Sequence, residues 1–335
     1  MKGPPQLKVH PDLNSLKNAV EPAKKILRQY GYVLLSGLED MSAQQMKEFM
    51  EQIAPGQFMI PFDDKASASM TKGSCPAHVP GVPQVRVLGQ GHDNALLANI
   101  GYEWHQDGGG TAPFLTLLHC KEPCAGADTL FADGAVLFDR LSEVDKDIAR
   151  GLVAVYSNEY TGGGPTALDA EYGLRMSPCG TKRIRPANRR KSDWKPGRFE
   201  RPVVEAGTDG RERLLAGAKG LEYCHGYDTS ESSELLSRLL RSALHPIQEA
   251  ELDEDLLPKG ITLFSKDVVY VHKWKRGEAI LWDNHRMLHS TSPTCAYRGK
   301  SRLMWQIISK NEAMMAAEEA QHTISGLHQS ATKYT

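Results

Sequence analysis

The chain has 335 residues, with 40 Lys+Arg against 41 Asp+Glu and a formal net charge of −1. That balance gives no charge-driven affinity for nucleic acid or an anionic membrane, and no stretch approaches the ~18 uninterrupted apolar residues of a membrane span. Six scattered cysteines without a C-x-x-C pair exclude a disulfide scaffold, and no apolar run follows Met1-Lys2-Gly3-Pro4-Pro5, so a reduced, cytoplasmic protein without a signal peptide is expected.

In chain order, residues 14–30 predict a helix stopping at Gly31, a residue that tolerates a left-handed terminus. Residues 32–35 read as a buried strand. Ser42 and Gln45 have capping-box spacing, and Met46, Phe49, Met50 and Ile53 follow as a helical core stripe. From 55 to 100, Gly, Pro and short polar residues predict long loops with brief strands such as 85–88. Residues 114–119 and 128–131 read as strands, and 142–150 as a helix capped by Ser142. Residues 157–201 have weak periodicity and are expected as an insert or lid over a site. Leu235, Leu236, Leu239 and Leu240 give 231–244 one apolar helix face. Residues 268–271, 279–282 and 303–308 are strand-like, and 314–321 reads as a terminal helix.

This pattern lacks the regular strand–helix alternation of a doubly wound sheet, and there is no G-x-G-x-x-G or P-loop. The expected fold is mostly β with flanking helices, a double-stranded β-helix (jelly-roll, cupin-like) core, with residues 1–335 forming a single domain.

In Trp104-His105-Gln106-Asp107 a histidine and a carboxylate stand two residues apart. In extended backbone such residues face the same way, so both can reach one metal ion. A second His would complete a two-His, one-carboxylate set, the ligand class of non-haem Fe(II) oxygenases, which leaves positions open for cosubstrate and O2. Trp282-Asp283-Asn284-His285-Arg286-Met287-Leu288-His289 offers His285 and His289, with Asp283 and Asn284 read as turn formers. Other histidines, such as His10, His245 and His322, read as surface or hydrogen-bonded residues. Cys120 and Cys124 lack a second Cys/His pair at zinc-finger spacing.

The ordered motifs make the chain similar to the taurine dioxygenase-like (TauD/TfdA) family of Fe(II)- and 2-oxoglutarate-dependent oxygenases. The similarity begins at Tyr30-Gly31-Tyr32-Val33-Leu34-Leu35-Ser36-Gly37-Leu38 and includes the W-H-x-D motif at Trp104. It continues through Gly126-Ala127-Asp128-Thr129-Leu130-Phe131-Ala132-Asp133, Pro202-Val203-Val204 and Gly277-Glu278-Ala279-Ile280-Leu281-Trp282-Asp283-Asn284. It ends near Arg302-Leu303-Met304, spanning about 28–308 with 157–201 divergent. The resemblance implies an oxygenase domain with His105, Asp107 and His289 as the iron ligands, His289 ahead of His285. It implies that Arg302, ahead of Arg298, pairs with the distal carboxylate of 2-oxoglutarate, and that the Thr129 hydroxyl helps. A guanidinium fork suits such bidentate recognition. The implied reaction couples oxidative decarboxylation of 2-oxoglutarate to succinate and CO2 with hydrogen abstraction from a substrate carbon. Hydroxylation, desaturation and ring closure are all open as outcomes.

Members acting on taurine-type sulfonates carry an Arg four residues after the cosubstrate Arg. Here that position is Gln306, so a simple sulfonate is not expected. The basic segment 182–201, with Arg183, Arg185 and Arg189, reads as a solvated loop or as a lid gripping an anion. Asn99, Tyr102 and Gly108-Gly109-Gly110 beside the metal motif are expected to line the pocket, glycines allowing close approach. The expected substrate is a small anionic metabolite, carboxylated and amino-acid-derived, with no nucleic-acid or membrane partner; self-association is open. The same residues also allow a non-catalytic jelly roll that binds a ligand, or a metal hydrolase.

Overall fold

The computed structural model describes residues 3–9, 13–56, 58, 78–90, 104–107, 115–124, 128–157, 160–161, 181–182, 198–207, 209–217, 221–244, 267–291 and 302–309. Its helices are α1 (Leu13–Tyr30), α2 (Ala43–Ile53), α3 (Gly134–Asp139), α4 (Glu143–Gly151) and α5 (Thr229–Leu244). The first strands are β1 (Gln6–Lys8), β2 (Tyr32–Ser36), β3 (His78–Val79), β4 (Val82–Gln90), β5 (Leu115–Glu122) and β6 (Thr129–Asp133). Then come β7 (Val153–Ser157), β8 (Tyr160–Thr161), β9 (Thr181–Lys182), β10 (Arg198–Pro202), β11 (Val204–Ala206) and β12 (Glu212–Leu214). The last are β13 (Leu221–Cys224), β14 (Val269–His272), β15 (Ala279–Asp283), β16 (Met287–Thr291) and β17 (Arg302–Ile308).

Local signals act as the sequence suggests. Gly31 ends α1 at φ +80 and donates its N–H to the Leu27 carbonyl at 2.7 Å. A side chain there would also run into Arg286, 2.7 Å from the position of a Cβ. The α2 capping box is complete: Ser42 N donates to Gln45 Oε1 at 2.8 Å and Gln45 N donates to Ser42 Oγ at 3.2 Å. Ser42 therefore satisfies an amide that the helix cannot, and the Met46, Phe49, Met50 and Ile53 stripe is buried below it.

A seven-stranded sheet, in the order β1-β2-β15-β5-β17-β4-β3, faces a three-stranded sheet, β14-β6-β16. This is the jelly-roll architecture, with two facing sheets that do not close into a barrel. Alternation along the strands divides the apolar residues into layers. From β15, Ala279 and Leu281 pack outward with α1 and α2, while Ile280 and Trp282 point between the sheets. β5 divides likewise, Leu115 and Leu117 outward, Leu118 and Cys120 inward. On β6, Leu130 and Ala132 pack with α5 and Phe131 points inward to Trp282, their ring centroids 5.3 Å apart. The inner faces of β5, β6, β15, β16 and β17 therefore meet in one thin layer, into which the functional side chains project.

Several elements depart from the expectations. β16 and α3 were not anticipated, and β4 has nine residues rather than four. The described part of β16, Met287 to Ser290, is buried on both faces and so lacks the polar alternation that marks a strand. The basic segment 182–201 is not solvated throughout: Arg201, on β10, is 6% exposed and pairs within the sheet β10-β7-β13. The expected helix at 314–321, the pocket residues Asn99 and Tyr102, the Gly108-Gly109-Gly110 run, Arg183, Arg185, Arg189 and Arg298 lie outside the described residues.

Candidate active site

The segment 104–107 lies along the free edge of β16. His105 N donates to the His289 carbonyl and His289 N to the His105 carbonyl, both at 2.9 Å. Such a reciprocal antiparallel pair places the two side chains side by side on one face. The period of two does the rest: Trp104 is buried in the outer core with α5, whereas His105 and Asp107 point between the sheets. One ligand atom each from His105, Asp107 and His289 lies within 4.8 Å of the others, and all three residues are buried. The imidazole rings of His105 and His289 are 4.2 Å apart, and His289 Nε2 is 3.8 Å from Asp107 Oδ2. Trp282 and Phe131 wall the His289 ring at 4.9 and 6.2 Å. This donor set, two imidazoles and a carboxylate converging from one side, fits a divalent first-row metal such as iron. His285 takes no part; its backbone N–H closes a turn on Asp283 Oδ1 at 2.8 Å.

The carboxylate is held from two strands, β5 and β17. Thr116 Oγ1 donates to Asp107 Oδ2 at 2.8 Å and Gln306 Nε2 donates to the same oxygen at 3.3 Å. Asp107 N donates to Asn284 Oδ1 at 3.2 Å, and Asn284 Nδ2 donates to Thr116 Oγ1 at 2.8 Å. Trp282 Nε1 also donates to Asn284 Oδ1, at 3.1 Å. Asn284 is therefore more than a turn former; fully buried, it fixes both Asp107 and the threonine that steers it. Gln106, on the opposite face, donates to the Asn284 carbonyl and accepts from Arg201 Nη1 at 3.1 Å. Burial pushes the Asp283 carboxyl above its usual range, opposed first by the His285 N–H.

Further along the same inner face, Arg302 begins β17. It is buried, and its Nε has no hydrogen-bond partner among the described residues. A buried guanidinium with an unmet donor is costly unless an anion joins it. Burial pushes its pKa down to about 10, opposed by Cys120 and Asp128, so it stays charged at neutral pH. Thr129 Oγ1 accepts from Trp274 Nε1 at 2.9 Å, which leaves the hydroxyl proton for another acceptor. Asp128, beside Thr129, is pushed up to about 6 by burial, opposed by Lys273 and Arg302. These groups fit a carboxylate ligand, so the site has chemistry for a metal at one end and an anion at the other. Cys120 and Cys124 are buried outside any disulfide, and His105, Asp107 and His289 form the one cluster among the described residues that could hold a metal ion.

Asn284, Thr116, Trp274 and Arg86 (discussed below) escaped the sequence reading. Asn284 had a visible signal, its place two residues after Trp282 in the W-D-N stretch; the other three had none.

Known proteins place these features in context. The chain aligns with a taurine dioxygenase from Burkholderia xenovorans at 16% identity and a TM-score of 0.56, covering 92% of this chain and 88% of that one. A second B. xenovorans protein, designated an alpha-ketoglutarate-dependent taurine dioxygenase, gives 15% identity and a TM-score of 0.59, covering 92% and 87%. At these identities the likeness is one of fold. A curated relative, the (S)-phenoxypropionate/alpha-ketoglutarate-dioxygenase of Sphingobium herbicidovorans, is 28% identical over 191 residues, 55% of this chain. The match spans about half, 52%, of that relative's length. A sequence profile described as taurine catabolism dioxygenase TauD, TfdA family matches residues 6–308, and the chain belongs to that family.

Proposed function

We propose that this protein is an Fe(II)- and 2-oxoglutarate-dependent dioxygenase acting on an unactivated C–H of a small anionic metabolite. The observation that carries the reading is the convergence of His105, Asp107 and His289, ligand atoms within 4.8 Å, in a TauD/TfdA-family jelly roll. Bound iron, with 2-oxoglutarate and O2, would supply the oxidising power, and the cosubstrate would leave as succinate and CO2. The chain's own part is to bind, orient and keep water out.

His105, Asp107 and His289 would hold the metal. Thr116 and Gln306 restrain the carboxylate directly, and Asn284 holds the Asp107 backbone N–H and the Thr116 hydroxyl, so that one rotamer faces the metal. Arg302 would take the distal carboxylate of 2-oxoglutarate as an ion pair, and Thr129 would donate its remaining proton to the same group. Phe131, Trp282, Met287 and Met304 line the space between the sheets and exclude water from it. The substrate would be carboxylated, and the relative whose name couples phenoxypropionate with alpha-ketoglutarate supports that class; an amino-acid derivative is the first choice to test. Residues 157–201 would cover the site, a role supported by Arg201, whose guanidinium reaches Gln106 beside the metal ligands.

Anaerobic addition of Fe(II) and 2-oxoglutarate should raise a weak visible charge-transfer band, and aerobic incubation should release succinate. Folded protein that shows neither result is not such an enzyme.

A further inference from the structure

Gln306 stands where taurine-type enzymes carry a cation, yet the position beside it is not neutral. Arg86 on β4 lies directly opposite Gln306 on β17 in the sheet register, and Leu88 likewise opposite the inward-facing Met304. Arg86 therefore shares the inner face with Gln306. Its Nη1 donates to Gln306 Oε1 at 3.0 Å, and the other end of that amide reaches Asp107 Oδ2 at 3.3 Å. One amide side chain thus separates a guanidinium from the metal-binding carboxylate.

This is the only hydrogen bond of the guanidinium among the described residues, and no carboxylate there lies within ion-pair distance of it. No described residue occupies the Nε and Nη2 edge, the pair of parallel N–H donors that matches a carboxylate. Arg86 is only partly exposed, so water does not fully compensate that edge. Burial pushes its pKa down, and the charge that opposes the shift is Asp107.

A metal dication, two neutral imidazoles and the Asp107 carboxylate leave one positive charge. The 2-oxoglutarate dianion and the Arg302 guanidinium bring the sum to zero. Asp128 lies near Arg302 and Lys273, whose charges lower its pKa. That end of the strand is about 13 Å from Gln306, four residues at ~3.3 Å each. Once Asp107 is committed to the metal, no other charge among the described residues offsets that of Arg86.

We propose that Arg86, supplied by β4 rather than β17, seats the carboxylate of the organic substrate through its Nε/Nη2 edge and sets the enzyme's preference for an anion. The proposal rests on the dioxygenase reading and names the substrate group that it recognises. Gln306 then acts as a positioning residue that aims the guanidinium and ties it to the metal side.

The test uses thermal stability, so it needs neither turnover nor the natural substrate. Full-length wild type, R86Q and R86K are loaded with Mn(II) and 2-oxoglutarate. Each is then given acetate, butyrate or phenylacetate, or the matching primary amide, at millimolar concentration. At least one carboxylate should raise the midpoint of loaded wild type by roughly 2–4 °C while its amide does not. R86Q should lose that rise, and R86K, which keeps the charge but not the fork, should retain part of it. Equal stabilisation of R86Q, or no stabilisation of wild type by any carboxylate, overturns the proposal. If R86Q instead loses the gain from Mn(II) and 2-oxoglutarate themselves, Arg86 serves Asp107 through Gln306 and the proposal is again overturned. Wild type that gains nothing from Mn(II) and 2-oxoglutarate removes the dioxygenase reading and this proposal together, so the two failures are told apart in the first step.

Discussion

The two ends of the space between the sheets are built on opposite principles. At the metal end, Asp107, Thr116, Asn284, Gln306 and Trp282 satisfy one another through hydrogen bonds of 2.8 to 3.3 Å. At the other end, among the described residues, the buried Arg302 Nε has no partner and the Thr129 hydroxyl proton has no acceptor. A metal centre needs ligands already aimed, because reorganisation on binding lowers affinity, so its supports are closed on each other. A cosubstrate that must enter and leave is better met by a group left unsatisfied until it arrives, because the protein gains most from the anion there and nothing competes for it.

The largest effect should come from the centre of the closed network. H105A and D107A should reduce 2-oxoglutarate-dependent succinate release to background while the circular dichroism spectrum stays native; succinate at the wild-type rate would remove these residues from the site. At the open end, R302M should weaken 2-oxoglutarate binding by about 2–4 kcal/mol, roughly 30- to 1,000-fold. The same change should raise the melting temperature of the ligand-free protein, because it deletes a buried, unmet donor. A melting temperature that falls would show that Arg302 is already satisfied without an anion, and the contrast between the ends would fail.

Smaller effects probe the supports. T116V removes one donor to Asp107 and should weaken metal binding about 10–100-fold, read by metal titration. N284A leaves the Asp107 and Trp282 N–H groups without their acceptor and should destabilise the fold by about 1–3 kcal/mol in denaturant titration. The smallest effect is a pH slope. Folded Asp128 keeps its proton up to about pH 6, against an ordinary value of 3.8. Between these values the folded chain binds more protons than the unfolded one. The contribution to stability is therefore present below that window and is lost as pH rises through about 6. D128N should take this contribution away, and wild type and variant showing the same slope across that range would exclude Asp128 as its source.

Much of the site was legible because its grammar is local. A two-residue spacing in extended chain brings His105 and Asp107 to one face, and Gly31, Ser42 and Ser142 mark helix ends through backbone chemistry that needs no distant partner. The supports were not legible, because they are contacts made across strands. Thr116 reads as an ordinary strand residue until β5 places it against Asp107. Arg86 falls in a brief predicted strand of a loop-rich stretch, and nothing in its spacing points to the site until β4 pairs with β17. β16 stayed hidden because burial on both faces erases alternation, although it carries His289.

The amino-acid order alone pointed to the ligand types, the jelly-roll class and Arg302 as the proposed cosubstrate arginine, since each depends on short spacings or on an ordered set of motifs. The resemblance put His289 ahead of His285, and only the tertiary structure supplied the physical reason, a reciprocal backbone pair with His105 that needs two segments to meet. It also decided that the cation beside Gln306 comes from the neighbouring strand, because register between strands, unlike spacing along one, is set by packing of the whole sheet.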